Sequence, residues 1–178
     1  MKVVSQATRE AVVAAIGDTR SVVTIGAYDG VHRGHQAVIG QVRKEAQQLG
    51  CQSVVVTFDR HPASVVRPDA APRLLTNTAQ KLELLAATGV DAVVVLSFTP
   101  EQSKEIPSDF VQRVIVDGLH ASTVIVGSDF HFGHMRQGNV TLLREMGIEG
   151  YFGGPLISSE GRMLGLVSVM STVPMDVS

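Results

Sequence analysis

The sequence predicts an α/β fold in which a parallel sheet is covered by helices on both faces. Three observations carry this expectation. Short apolar runs at 22–25, 53–58, 92–98 and 123–126 are rich in β-branched residues with no polar face, as strands buried on two sides must be. Between them lie segments of helical spacing long enough for right-handed crossovers. Glycines and polar side chains gather directly after the strands, at the edge where such sheets bind ligands. Together these features define a Rossmann-like architecture.

In chain order, alanines and valines over 7–16 predict a short helix that Gly17-Asp18 turns back, and 22–25 reads as the first strand. From about Arg33 to Leu49 the apolar positions Val38, Ile39, Val42, Ala46 and Leu49 follow helical spacing, and Gly50 marks the stop. The second strand, 53–58, runs into Asp59-Arg60-His61-Pro62, and the proline-containing stretch 62–75 reads as irregular. Thr76 or Thr78 is placed to cap a helix through Lys81, Leu82, Leu84 and Leu85 to Gly89. A third strand follows at 92–98. Pro107-Ser108-Asp109 opens a helix with Phe110, Val111, Val114, Ile115 and Leu119 on its buried side. The fourth strand, 123–126, enters Gly127-Ser128-Asp129-Phe130-His131-Phe132-Gly133. A helix over about 139–146 and strands near 150–157 and 163–173 complete the order.

Composition narrows the partners. The chain has 178 residues, 44% hydrophobic and 18% charged, which suits one compact domain with a sizeable core. A net charge of -2 and a pI near 6.3 leave no general footprint for nucleic acid, and no basic block suggests a membrane surface. A small-molecule ligand is expected, on a monomer or weak homo-oligomer. The single cysteine, Cys51, excludes an intramolecular disulfide and a thiolate metal cluster. No signal-peptide core opens the chain and no apolar run approaches the roughly 20 residues of a membrane span, so the expected location is the cytoplasm.

The chemistry centres on 22–36. An apolar strand enters a loop with Gly26, Gly30 and Gly34 and with histidines three apart, His32 and His35, and a helix leaves it. Such a loop lets backbone approach a phosphate closely, while the helix start directs unpaired N–H groups and a partial positive charge at the anion. If the helix has begun by Val31, both imidazoles share one face. Loops carrying Asp59 with His61, and Asp129 with His131, are expected to converge on the same cleft. Asp59 and Asp129 also suit helix caps or turns, and Phe130 and Phe132 suit the core as well as a stacking surface. His61, His131 and His134 lack the spacing of a zinc site and read as polar lining.

Gly26-x-Tyr28-Asp29-Gly30-Val31-His32-x-Gly34-His35-Gln36 resembles the nucleotide-binding signature of the nucleotidylyltransferase superfamily, in the version carried by bacterial FAD synthetases. Thr57-Phe58-Asp59-x-His61-Pro62 and Val126-Gly127-x-Asp129-Phe130-x-Phe132-Gly133 are similar to further motifs of that family, in the same order. The resemblance covers about residues 20 to 150. It implies the nucleotidylyltransferase fold and an FMN adenylyltransferase, which joins FMN and ATP into FAD and pyrophosphate with Mg²⁺. It further implies that His32, His35 and Asp59 are catalytic, and that Gly26, Ala27, Tyr28, Asp29, Gly30, Gly34, Gly127, Asp129, Phe132 and Arg136 hold the nucleotide. Phe58, Asp59, His61, Pro62, Asp129 and Phe130 would hold the flavin, with Asp59 also near the metal.

The far end departs from that family's Ser-Ser-Thr-x-Ile-Arg motif. Ser158-Ser159-Glu160-Gly161-Arg162 puts an acid where the threonine belongs, and Met170-Ser171-Thr172-Val173-Pro174-Met175 puts methionine where the arginine belongs. Loss of a guanidinium removes a bidentate phosphate contact. Two alternatives therefore stand beside the first reading: a paralogue with another acceptor or nucleotide, and a catalytically impaired binder of flavin or adenine nucleotide. Residues 1–178 are expected to form one nucleotidylyltransferase-like domain without a riboflavin kinase domain.

Overall fold

The computed structural model describes residues 1–127, 129–148, 150–152, 155–157 and 163–166. The order of elements is β1 (Lys2–Val4), α1 (Arg9–Ile16), β2 (Ser21–Ile25), α2 (Arg33–Leu49), β3 (Gln52–Phe58), α3 (Pro62–Val66), α4 (Thr78–Ala87) and β4 (Ala92–Leu96). Then come α5 (Pro107–Phe110), which continues as a π-helix over Val111–Gly118, β5 (Ala121–Val126), β6 (His131–Phe132), β7 (Gly138–Asn139) and α6 (Val140–Glu145). The described part ends with β8 (Gly150–Phe152), β9 (Pro155–Ile157) and β10 (Met163–Leu166).

Six strands form one sheet in the order β1-β4-β3-β2-β5-β8, and every pairing in it is parallel. From β2 the chain steps outward to β3 and β4, then returns across β2 to β5 and β8. The order therefore reverses between β2 and β5, and their carboxyl ends flank the crevice that such a reversal opens. Side-chain alternation along the strands divides the interior into two layers. Val23, Ile25, Val54, Val56, Val94, Val124 and Val126 face α1, the 107–119 helix and Leu143. On the opposite face Val22 and Ile125 meet Val42 and Ala46 of α2, while Val55 and Val93 meet Ile39 and Leu85. Helices thus cover both faces, as the sequence predicts.

Several elements differ from expectation. Strand β1 pairs with β4 at the sheet edge, where its short run of two exposed residues and one buried residue carried little periodicity. The cap of α4 is Asn77, whose side chain accepts the Gln80 N–H while the Gln80 side chain accepts the Asn77 N–H; neither threonine serves. Part of the irregular stretch is helical: Pro62 opens α3 and His61 caps it. The strand expected over 150–157 is two, β8 in the main sheet and β9 paired antiparallel with β10. Both stretches compared with the terminal Ser-Ser-Thr motif, 158–162 and 170–175, lie outside the described residues, as does 167–173 of the last predicted strand. Among the described residues, no helix is long and apolar enough to cross a membrane.

The 107–118 helix shows how packing sets local geometry. The Leu119 amide donates to the carbonyl of Val114 at 2.9 Å, a bond over five residues. The widened turn brings Gly118 onto the segment before α1, where a Cβ at this position would lie 2.2 Å from the Ala7 carbonyl oxygen and 3.0 Å from that of Arg113. Backbone blocks both directions, so Gly118→Ala forces a shift of the helix and is expected to cost about 1–3 kcal/mol. Urea unfolding checks this as a lower midpoint with an unchanged slope; an unchanged midpoint would show that the contact is not tight.

Candidate active site

The loop after β2 folds as a tight turn over Asp29–Val31 and leads straight into α2. Two of its non-glycine residues take left-handed backbone, Tyr28 (φ 51) and Val31 (φ 38), a conformation that costs energy unless its surroundings hold it. They do. The Tyr28 ring is buried and its hydroxyl is 2.6 Å from Thr24 Oγ1, so burial pushes the phenol far above its usual range. The Asp29 carboxylate accepts the Leu75 N–H (2.8 Å), the Thr76 N–H (2.9 Å) and the Thr76 hydroxyl (2.8 Å). Chiefly through the Leu75 bond, this holds its carboxyl below the ordinary carboxylate range.

Helix α2 begins at Arg33, not by Val31, and this changes the relation of the two histidines. His32 is the N-cap in extended backbone, and its Nδ1 accepts the His35 N–H at 3.4 Å. The rings nevertheless meet, stacked with centroids 3.6 Å apart and planes 19° from parallel. When neutral, His32 therefore carries its proton on Nε2 and presents that N–H outward. His35 is half-buried against Tyr28, with ring centroids 4.9 Å apart, and its own Nδ1 is buried without a hydrogen-bond partner among the described residues. Burial first, and the neighbouring His32 second, pull its imidazole down to about 4 from 6.5. Beside the rings lie the amides of Arg33 and Gly34, which the first turn of a helix leaves without internal acceptors.

An open cleft is lined by Ala27, Asp29, Asp59, Arg60, His61, Leu74, Thr76, Asn77, Thr78 and Lys81. It joins the loops after β2 and β3 and is closed by the segment entering α4. Asp59 Oδ1 accepts the Phe98 N–H at 3.0 Å and lies 3.5 Å from Arg60 Nε. Phe58 packs edge-on against Phe98. The loop after β5 does not line this cleft, so the expected convergence of three loops is only partly realised. There Asp129 is exposed, its carboxylate lies over Gly127, and the Phe130 amide closes a turn on the Gly127 carbonyl at 3.0 Å. Phe132 is buried in the core beside Phe110 and stacked on Phe130, and Arg136 is exposed outside the cleft. Among the described residues no group of three or more His, Cys, Asp or Glu is placed to hold a metal ion.

Sequence reasoning missed Lys81. It is buried, and its Nζ donates to the carbonyls of Phe58 (2.7 Å) and Ala27 (3.3 Å). Burial pulls the ammonium below the ordinary lysine range, against the opposing pull of the Asp29 and Asp59 carboxylates. A signal was present: Lys81 stands one turn before the buried Leu85, a charge on the apolar stripe of its helix.

A doubly wound parallel sheet, with a strand-loop-helix phosphate cradle beside its order reversal, defines a nucleotide-binding α/β protein. The FAD synthetase family model matches residues 15–154, and the chain belongs to that family. It is 40% identical over 127 residues to a bifunctional riboflavin kinase/FMN adenylyltransferase of Pseudomonas fluorescens, covering 71% of this chain and 40% of that protein. To the protein of the same description from Escherichia coli (strain K12) it is 34% identical over 151 residues, covering 85% of this chain and 48% of the relative. The chain thus spans about half, or less, of these relatives' length. The solved structure of a macrolide-efflux protein from Streptococcus pneumoniae has the same fold, with a TM-score of 0.73 at 22% identity, covering 91% of this chain and 54% of that one.

Because burial depresses the His35 imidazole, folding stability depends on pH. Between pH 6.5 and about 4 the unfolded chain takes up a proton that the folded chain refuses, so folding stability falls as pH falls through this window. An NMR titration is expected to find the His35 ring uncharged from pH 8 down to pH 5; a midpoint near 6.5 would overturn the burial argument.

Proposed function

We propose that this chain is an FMN adenylyltransferase that transfers AMP from ATP to FMN, giving FAD and pyrophosphate. The observation that carries the reading is the stacked His32/His35 pair at the start of α2, inside the stretch matched by the FAD synthetase family. The comparisons support the class of chemistry, and the relatives' names include FMN adenylyltransferase.

A phosphate oxygen of FMN attacks the α-phosphorus of ATP. The bond from that phosphorus to the oxygen bridging toward the β-phosphate breaks, pyrophosphate departs with the electron pair, and the new phosphoanhydride is that of FAD. This chemistry needs alignment and charge neutralisation more than a strong acid or base. His32 Nε2–H and the amides of Arg33 and Gly34 donate to the triphosphate, where the helix dipole adds its share. His35, neutral when the site is empty of anions, supplies a hydrogen bond first; a polyphosphate beside it raises its affinity for a proton and lets it carry charge as the transition state develops. Gly26, Ala27, Gly30 and Gly34 form the nucleotide cradle, and Asp29 keeps its walls in place. The flavin phosphate enters the neighbouring cleft along Phe58, Asp59, Arg60, His61 and Pro62, with Asp129 and Phe130 on the far side of β2.

Mg²⁺ fits as an ion carried on the triphosphate, because the cleft is lined by two carboxylates, Asp29 and Asp59, of which Asp29 is already engaged by Leu75 and Thr76, and no acidic cage is formed among the described residues. Bound there, it would supply charge neutralisation at phosphate oxygens.

Incubation with FMN, ATP and Mg²⁺, followed by chromatography, is expected to show FAD and pyrophosphate in equal amounts. Absence of both sinks the reading; binding of flavin or nucleotide without turnover favours the impaired-binder alternative that the Ser158–Arg162 stretch suggests. His32→Ala is expected to lower kcat by about 10²–10³-fold, the usual loss for one transition-state donor, while FMN binding changes less than about threefold. Equal losses in both would remove His32 from the transition state.

A further inference from the structure

Three side chains around the start of α4 reach back to the loops that follow β2 and β3. The Thr76 hydroxyl donates to Asp29 Oδ1 and accepts the Gly30 N–H at 3.1 Å. The Thr78 hydroxyl donates to the Asp59 carbonyl at 3.2 Å. Lys81 goes further, since its Nζ donates both to Phe58, at the end of β3, and to Ala27, in the loop that leads to His32 and His35. The Ala27 carbonyl also takes the Thr57 hydroxyl at 3.0 Å.

An ammonium in this place is costly by itself. Burying a charge is costly unless it is hydrogen-bonded and offset, and an apolar side chain of similar length would pack there with less penalty. What it does here is electrostatic. Two backbone carbonyls converge on the wall of a cleft that also holds the carboxylates of Asp29 and Asp59. Left alone, these groups would repel one another and any phosphorylated ligand. A cation between the carbonyls joins them and offsets the carboxylates.

We propose that Lys81 is a positioning residue: by bridging the carbonyls of Ala27 and Phe58 it sets the spacing between the nucleotide loop and the acceptor cleft, and so the alignment of the two substrates. The proposal rests on the adenylyltransferase reading above. A spacing residue contributes to reaction geometry more than to the binding of either substrate alone, and misplacement by about 1 Å commonly costs about 10²-fold in rate.

The test compares wild type, Lys81→Met and Lys81→Arg by steady-state kinetics with FMN and ATP, by circular dichroism and by amide hydrogen exchange. Lys81→Met is expected to fold, to lose about 10–100-fold in kcat, and to keep KM for each substrate within about threefold. Its amides over 26–31 and 58–61 are expected to exchange faster while those over 39–49 stay protected. Lys81→Arg retains a cationic donor and is expected to keep kcat within about fivefold of wild type. The proposal is overturned if Lys81→Met keeps kcat within about threefold, or if its activity falls only with the folded fraction and exchange rises everywhere. Should Lys81→Met not fold, an Arg variant that folds yet loses about 100-fold in kcat overturns it equally. Wild-type protein that makes no FAD would refute the functional reading instead, and the exchange comparison would still decide whether Lys81 ties the two loops.

Discussion

Between the last residue of β2 and the first turn of α2 the chain must reverse sharply while keeping its polar backbone groups satisfied. The hydrogen bonds from the Asp29 carboxylate to Leu75 and Thr76 meet that demand, and the rest of the site depends on them. They hold a turn in which Tyr28 and Val31 adopt left-handed backbone. They also draw the 75–76 segment onto the loop, which places the start of α4 against the ends of β2 and β3. From this follow the cap position of His32, the stacking of His32 on His35, and the wall of the cleft. Local strain near a site of this kind is offset by the surrounding structure, here by a buried tyrosine hydroxyl bond and a fully engaged carboxylate.

The electrostatic consequence is a site whose charges are mostly spoken for before a ligand arrives. Asp29 is engaged by backbone, Asp59 is shared between the Phe98 amide and Arg60, Lys81 lies between two carbonyls, and burial keeps His35 neutral. What stays available is directional: the exposed edge of His32, the first amides of α2, and the dipole behind them. An anionic ligand is thus met by donors already oriented, with little reorganisation needed. The sheet explains why these groups are neighbours. Order reversal between β2 and β5 leaves a crevice at the carboxyl edge, and the adjacent β2/β3 loops supply the second compartment.

The fold was legible because its signals are local. Valine-rich runs without a polar face identify parallel strands buried on two sides, and the spacing of Ile39, Val42 and Ala46 marks the buried stripe of α2 down to its left-handed stop at Gly50. The phosphate loop was legible for the same reason, since its glycines, its histidines and the following helix are contiguous. Where the signal was short or shared, reading failed. Strand β1 exposes two of its three residues, the cap of α4 sat one residue from either expected threonine, and the loop after β5 lies outside the cleft that the loops after β2 and β3 share.

Sequence alone therefore determined the class of fold, the position of the phosphate cradle and the family resemblance, because each is written in neighbouring residues and their period. Tertiary structure alone decided the use of side chains whose partners are distant in the chain. Asp29 meets Leu75 and Thr76, and Lys81 meets Ala27 and Phe58, across separations that no periodicity encodes. The stacking of His32 on His35 belongs with these: their spacing is local, but the turn that makes one a cap and the other a half-buried neutral ring is held by contacts from beyond it.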